Sequence, residues 1–165
     1  MLFRSETAAG KYPLETVEQM ALIALEAERA EEVQLDGDFV NKRFGRIDQS
    51  IAMGALFTAH HLGCKAIIAL TESGSTALWM SRHNIHVPIF GLTSKQQSER
   101  KMALYRNVTP ILTSLYSDRD VALKEAEKVL IAKGILRPGD TYAITCGEPM
   151  GYPGGTNMLK VCRVD

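Results

Sequence analysis

Residues Ile67-Ile68-Ala69-Leu70-Thr71-Glu72-Ser73-Gly74-Ser75-Thr76 decide how this chain folds. An apolar run breaks into a hydroxyl-rich turn around one glycine, and Ala77, Leu78 and Met80 follow in a helix-like pattern. A strand that feeds a short turn and opens a helix has this signature. The turn gathers hydroxyls and backbone N–H groups at the positive end of a helix dipole, which suits a phosphate group. The same residues also read as a Ser/Thr-rich N-cap with no ligand. Four hydroxyls among six residues (Thr71, Ser73, Ser75, Thr76) exceed what one cap needs, so the anion reading stays open.

From this turn to the end of the chain, strand and helix patterns alternate. Residues 66–70, 88–92, 109–115, 141–146 and 158–164 read as strands; 76–82, 96–106 and 118–133 read as helices. Val121, Ala122, Ala126, Val129 and Leu130 share one side of the last helix, which Gly134 ends. Pro138-Gly139-Asp140 makes a turn before the fourth strand. The expected fold is α/β, a three-layer α/β/α sandwich around a mostly parallel five-stranded sheet. The short last connection shows no helix pattern, so the fifth strand is expected antiparallel at the edge. Upstream, residues 13–33 read as a helix opened by Pro13, 34–46 as a polar linker, and a second helix starts at Asp48 as N-cap and stops at Gly63.

Composition narrows the class. A chain of 165 residues with 45% hydrophobic content can bury a proper core. Its formal net charge is zero, so no global field draws it to nucleic acid or an acidic membrane. No window approaches the roughly 18 uncharged apolar residues of a membrane span, and Met1-Leu2-Phe3-Arg4-Ser5-Glu6 lacks a signal-peptide layout. Cys64, Cys146 and Cys162 are few, scattered and odd in number, which fits free thiols in a reducing, cytoplasmic setting.

In open sheets of this kind ligands bind outside the carboxyl ends of the strands. Residues 71–76 follow the first strand, Thr93-Ser94-Lys95 the second and 147–156 the fourth, so three segments converge on one place. The last of them holds four glycines and two prolines over ten residues, long for a plain turn, and reads as a ligand-facing loop or flap. Other groups invite blander readings. Adjacent His60 and His61 point to different sides of a helix and make poor joint metal ligands. Cys146 ends a strand but lacks the glycine-flanked elbow of a nucleophile. Trp79, Met80 and Tyr105 read as packing residues, Arg106 as a structural tie, and Glu125, Glu127 and Lys128 as a solvated helix face.

Four segments in order carry a resemblance: the 71–76 turn; Met102-Ala103-Leu104-Tyr105-Arg106-Asn107-Val108-Thr109-Pro110; Lys133-Gly134 with Pro138-Gly139-Asp140; and Gly154-Gly155-Thr156-Asn157. Together they resemble the carboxy-terminal domain of pyruvate kinase. Ser5-Glu6-Thr7-Ala8-Ala9-Gly10-Lys11-Tyr12-Pro13 is similar to the segment that ends that family's catalytic barrel, with Phe3-Arg4-Ser5 replacing its usual lead. The resemblance implies that 1–33 is the end of the barrel with its last helix, 34–46 a linker and 47–165 the effector-binding domain. Pyruvate kinases move phosphate from phosphoenolpyruvate to ADP inside the barrel, giving pyruvate and ATP with the help of magnesium and potassium. The barrel residues that do so map upstream of this chain, which is therefore expected to be inactive alone, with no catalytic residue, metal site or cofactor of its own. Ser5 and Glu6 match residues that approach the nucleotide in that family.

The resemblance also implies a site. In relatives activated by sugar phosphates, the loop matching Thr71, Glu72, Ser73, Gly74, Ser75 and Thr76 holds the effector phosphate. The loop matching Met150, Gly151, Tyr152, Pro153, Gly154 and Gly155 folds over it. Relatives that bind fructose bisphosphate carry an arginine where Ser75 stands, and a tryptophan and an arginine where Tyr116-Ser117-Asp118 and Val121-Ala122-Leu123 stand. No evident cationic partner occupies those regions, Glu72 adds negative charge, and Lys95 and Arg82 are the candidate cations. A sugar monophosphate or AMP is thus expected rather than a bisphosphate. The family's tetramers pair their carboxy-terminal domains, so a homo-oligomer built through the 158–164 edge strand is expected. The competing reading is an independent phosphometabolite-binding module of the same fold, in which Glu72 and Glu148 are the only acids near the turn.

Overall fold

In the computed structural model of the chain, residues 6, 7, 9–30 and 43–165 are described, and two units separate, Met1–Gln34 and Leu35–Asp165. In the first, helix α1 (Pro13–Ala30) begins with Pro13 at a position where a missing N–H costs nothing. Glu6 Oε1 accepts hydrogen bonds from the Lys11 and Tyr12 amides at 2.8 and 2.9 Å, just ahead of that helix. Ser5, the expected helix end at 31–33 and most of the expected linker lie outside the described residues.

The second unit carries the sheet. Helix α2 (Ile47–His61) precedes β1 (Ala66–Leu70), α3 (Ser75–Ser81), β2 (Ile89–Thr93), α4 (Gln96–Met102), β3 (Val108–Leu112), α5 (Arg119–Ala132), β4 (Thr141–Gly147) and β5 (Thr156–Arg163). The strand order is β3-β2-β1-β4-β5, with β5 antiparallel to β4 and every other pair parallel. Successive side chains of a strand face opposite ways, so β1 divides its residues between two cores. Ile67 and Ala69 pack with Met53, Leu56, Met80 and Met102 from α2, α3 and α4. Ala66 and Ile68 pack with Leu123, Ala126 and Leu130 of α5. Helices therefore cover both faces, which is why β1 reads as an unbroken apolar run. Each fully buried Leu, Ile or Met here stabilises the fold by about 1.5–3 kcal/mol.

Crossovers between parallel strands are right-handed. The chain steps outward from β1 to β2 to β3 over one face, then returns past β1 to β4 over the other face with α5. The direction of winding thus reverses between β1 and β4, which lie side by side with Ile68 opposite Ile144. At the far edge, Asn107 and Thr113 bond to β2, so the alternate residue Pro110 turns its donorless nitrogen outward.

Several sequence expectations need correction. Asp48 does not cap α2; it sits inside the first turn, 1% exposed, with Arg46 donating to its carboxylate at 2.9 and 2.8 Å. The helix expected over 96–106 ends at Met102, where the ladder gives way to tighter i→i−3 turns, Leu104 donating to the Lys101 carbonyl at 3.1 Å and Tyr105 to that of Met102 at 3.0 Å. The strand expected over 109–115 stops at Leu112, and β5 starts at Thr156, two residues before its expected beginning. Glu127 is not simply solvated, since the Tyr142 hydroxyl donates to it at 2.6 Å. His60 and His61 do not diverge; their rings meet edge to face with centroids 5.1 Å apart.

Candidate functional site

The crevice that a winding reversal leaves at the carboxyl ends of the strands is where such sheets hold ligands. Here it lies beyond β1 and β4 and is roofed by the loop from Glu148 to Gly155. The turn after β1 shapes one wall. Gly74 adopts φ 79°, a conformation costly for a residue with a Cβ, and opens α3 without a side-chain cap. Thr71 Oγ1 accepts from the Gly74 amide at 3.0 Å, and the Ser73 and Ser75 hydroxyls bond each other at 3.2 Å. From below, Ser98 of α4 donates to the Glu72 carbonyl at 2.6 Å. Met102 lies directly beneath Gly74 and Gly91, where a Cβ on either would meet it at 3.0 or 2.5 Å.

Of the residues expected in the turn, Thr71 and Glu72 line the crevice, whereas Ser73, Gly74, Ser75 and Thr76 stand beside it. Thr76 is wholly buried, and its hydroxyl meets that of Thr156 at 2.7 Å. From the roof, Met150, Gly151, Tyr152 and Gly154 line the crevice, and Pro153 and Gly155 do not. Thr93 and Ser94 join from the end of β2 as their position implied. The sequence reading missed Thr113, Ser114 and Tyr116, which follow β3. Their signal is the same as that of the 71–76 turn: an apolar strand running into hydroxyls.

The crevice mixes hydroxyl-bearing and apolar side chains and is nearly uncharged. Thr71, Thr93, Ser94, Thr113, Ser114 and Thr156 line it with Leu70, Leu92, Leu115 and one carboxylate, Glu72, and among the described residues no lysine or arginine does. This half-open crevice leaves about 40 Å³ for water-sized spheres, room for a few waters. Arg82 is no partner for this site. It caps the far end of α3 and stacks over Trp79, 4.6 Å from the ring centroid.

The roof is tied down at its first residue. Asn157 brackets Glu148, accepting from its amide at 2.9 Å and donating to its carbonyl at 2.7 Å. The Glu148 carboxylate in turn accepts from Arg119 Nη1, while Arg119 Nε donates to Asp120 at 2.9 Å. Arg119 corrects the expectation that the start of this helix carries no cation. These contacts hold the guanidinium proton well above its ordinary range and the Asp120 carboxyl below its own, Arg119 being the main cause of the latter. Cys146, fully buried behind the roof, has its thiol pushed up to about 11 by burial, so it stays protonated and makes no nucleophile. All three cysteines are free. No described helix is long and apolar enough to cross a membrane.

A doubly wound α/β domain with its cleft at the winding reversal is the class these features define. Residues 49–162 match the family model of the pyruvate kinase alpha/beta domain. Over 165 residues the chain is 38% identical to the pyruvate kinase of Buchnera aphidicola subsp. Baizongia pistaciae, covering 99% of this chain and 34% of that protein. It is 39% identical to pyruvate kinase II of Salmonella typhimurium over 166 residues, covering 100% of this chain and 35% of the relative. The Haemophilus influenzae pyruvate kinase is 38% identical over 164 residues, 99% of this chain and 33% of its own length. The chain belongs to the pyruvate kinase family and spans about a third of the length of the curated relatives it matches.

Proposed function

We propose that this chain is the effector-binding and subunit-pairing domain of a pyruvate kinase, and that its crevice takes a phosphorylated metabolite with a single phosphate. The observation that carries the reading is the hydroxyl-lined cleft at the β1/β4 reversal, with the Glu148–Gly155 loop lying across it. Neutral hydroxyls and one carboxylate suit the hydroxyl groups of a sugar. The phosphate sits against the amides and hydroxyls of the 71–76 turn, where α3 begins without a side-chain cap. The described lining offers no cationic side chain, which favours a hexose or pentose monophosphate, or AMP, over a bisphosphate with its greater charge. On this reading, transfer of phosphate from phosphoenolpyruvate to ADP, with its magnesium and potassium, is assigned to other parts of the enzyme; this chain spans about a third of its relatives' length. This chain contributes regulation and assembly, and it turns over no phosphoenolpyruvate by itself.

The test is thermal denaturation with ribose 5-phosphate, glucose 6-phosphate and AMP, each titrated separately. A ligand bound only by the folded state stabilises it by RT ln(1 + [L]/Kd), about 2.7 kcal/mol at a hundredfold excess over Kd. A melting temperature that rises with one of these compounds, and fails to rise in Thr71→Val, supports the reading. A temperature indifferent to all three overturns it.

A further inference from the structure

We infer that Arg46 and Asp48 are positioning residues for the Glu148–Gly155 loop, and that they couple ligand in the crevice to the chain entering α2. The inference rests on the reading of the crevice as a ligand site and adds the route by which occupancy is felt elsewhere. Asp48, in the first turn of α2, is the one buried carboxylate among the described residues. Arg46 donates to both of its oxygens, from Nε to Oδ1 at 2.9 Å and from Nη2 to Oδ2 at 2.8 Å. The Gln49 amide adds a bond to Oδ1 at 2.9 Å. Losing the two-pronged partner would strand a buried charge, so the guanidinium is held in place although its side chain is 55% exposed.

The last turn of the loop is seated on this pair. A Cβ on Gly154 would stand 3.1 Å from Arg46 Nη2 and 3.9 Å from Asp48 Oδ2, so bare backbone lies against the two charges. Gly154 also lines the crevice, at a φ of 72° that suits glycine. Just beyond it the Gly155 amide donates to the Tyr152 carbonyl at 3.0 Å, and the Thr156 hydroxyl is fastened to that of Thr76. Gly154 thus touches both the crevice and a guanidinium that is itself fixed. A ligand that orders Gly154 orders Arg46 with it. Asp48 belongs to a packed helix and has no room to follow, so the effect passes back along the chain. Arg46 is also the N-cap residue of α2, its carbonyl accepting from the Ser50 amide at 3.2 Å, and Phe44 packs against the core beside it. Residues 44–47 therefore form the short arm that carries the change upstream.

Amide hydrogen exchange of the whole chain, with and without ribose 5-phosphate or AMP, tests this, with calorimetry of the same samples to register binding. The variants are Arg46→Gln and Arg46→Lys, the latter keeping a charge opposite Asp48 so that the chain still folds. Without ligand, exchange at Gly155 is expected to quicken about tenfold or more in Arg46→Gln, the range of a charged hydrogen bond. With ligand, exchange at residues 44–47 of the wild-type chain is expected to slow about fivefold or more, the lower range of coupling between sites. In Arg46→Lys, which cannot reproduce the two-pronged bond, ligand is expected to bind and leave residues 44–47 unaltered. Gly155 exchange that ignores Arg46→Gln overturns the seat. Binding to the wild-type chain with no change at residues 44–47 overturns the coupling and leaves the crevice reading standing, as does slowing that persists in Arg46→Lys. Absence of binding by the folded wild-type chain overturns both.

Discussion

The hydroxyls of Thr76 and Thr156 meet at 2.7 Å in a buried pair that ties the turn after β1 to the first residue of β5. Neither group reaches water, so each is the other's main compensation for burial. Thr156→Val is expected to destabilise the chain by about 1–3 kcal/mol, because the Thr76 hydroxyl is left unpaired. The double change Thr76→Val with Thr156→Val removes both polar groups and should recover most of that loss. Urea denaturation of the three variants measures it. A double variant as unstable as the sum of its parts contradicts the pairing argument.

Gly91 on β2 leaves room for Met102, whose sulfur a Cβ would approach at 2.5 Å. Since Met102 is wholly buried it has little freedom to withdraw. Gly91→Ala should cost about 1–3 kcal/mol through overpacking, and the added cost of Gly91→Ala in a Met102→Ala background should be smaller than in the parent. Melting curves of the single and double variants decide the point; a neutral Gly91→Ala rules the packing account out.

Cys146 keeps its proton to about pH 11, against an ordinary value of 9, because burial penalises the thiolate. Its raised value means that the folded state holds a proton the unfolded state gives up first. The resulting stability is whole below pH 9 and is lost as pH rises from about 9 to 11. Tyr142, pushed up by burial and by its bond to Glu127, acts in the same direction at the upper end. Cys146→Ala should therefore flatten part of the alkaline loss seen in urea melts between pH 8.5 and 11. At pH 8 a thiol reagent should label half-buried Cys162 before Cys146; early labelling of Cys146 would show the thiol to be open.

Asp118 caps α5 by accepting from the Val121 amide at 2.8 Å. Asp118→Ala should cost about 1 kcal/mol in urea melts, and Asp118→Ser should restore most of it. An alanine variant as stable as the parent removes the cap from the account.

Much of this architecture was legible because local chemistry and global fold agree. The two-sided burial of β1 produces its unbroken Ala66–Leu70 run, and Asp118 announces α5 as caps do. The errors fall where tertiary contacts override local signals. Asp48 has the composition of a cap but is drawn into the helix by Arg46, a preference no spacing rule contains. Asn107 ends the turn after α4 because its side chain bonds the carbonyls of Ile85 and Val87 at 2.9 Å, two residues far away in sequence. At the site, the placement of Thr71 and the roof followed from strand ends alone. Thr113 and Ser114 needed knowledge that β3 stops early, and the tie from Arg119 to Glu148 joins residues 29 apart in sequence, beyond what local patterns carry.

Pro110 gives the sheet a sealed side. A newcomer approaching β3 finds a donor missing at the middle of the strand, whereas no proline interrupts the edge strand β5. An edge-to-edge pairing through β5 would therefore stop at two copies, with no second open edge from which a fibre of such sheets could continue.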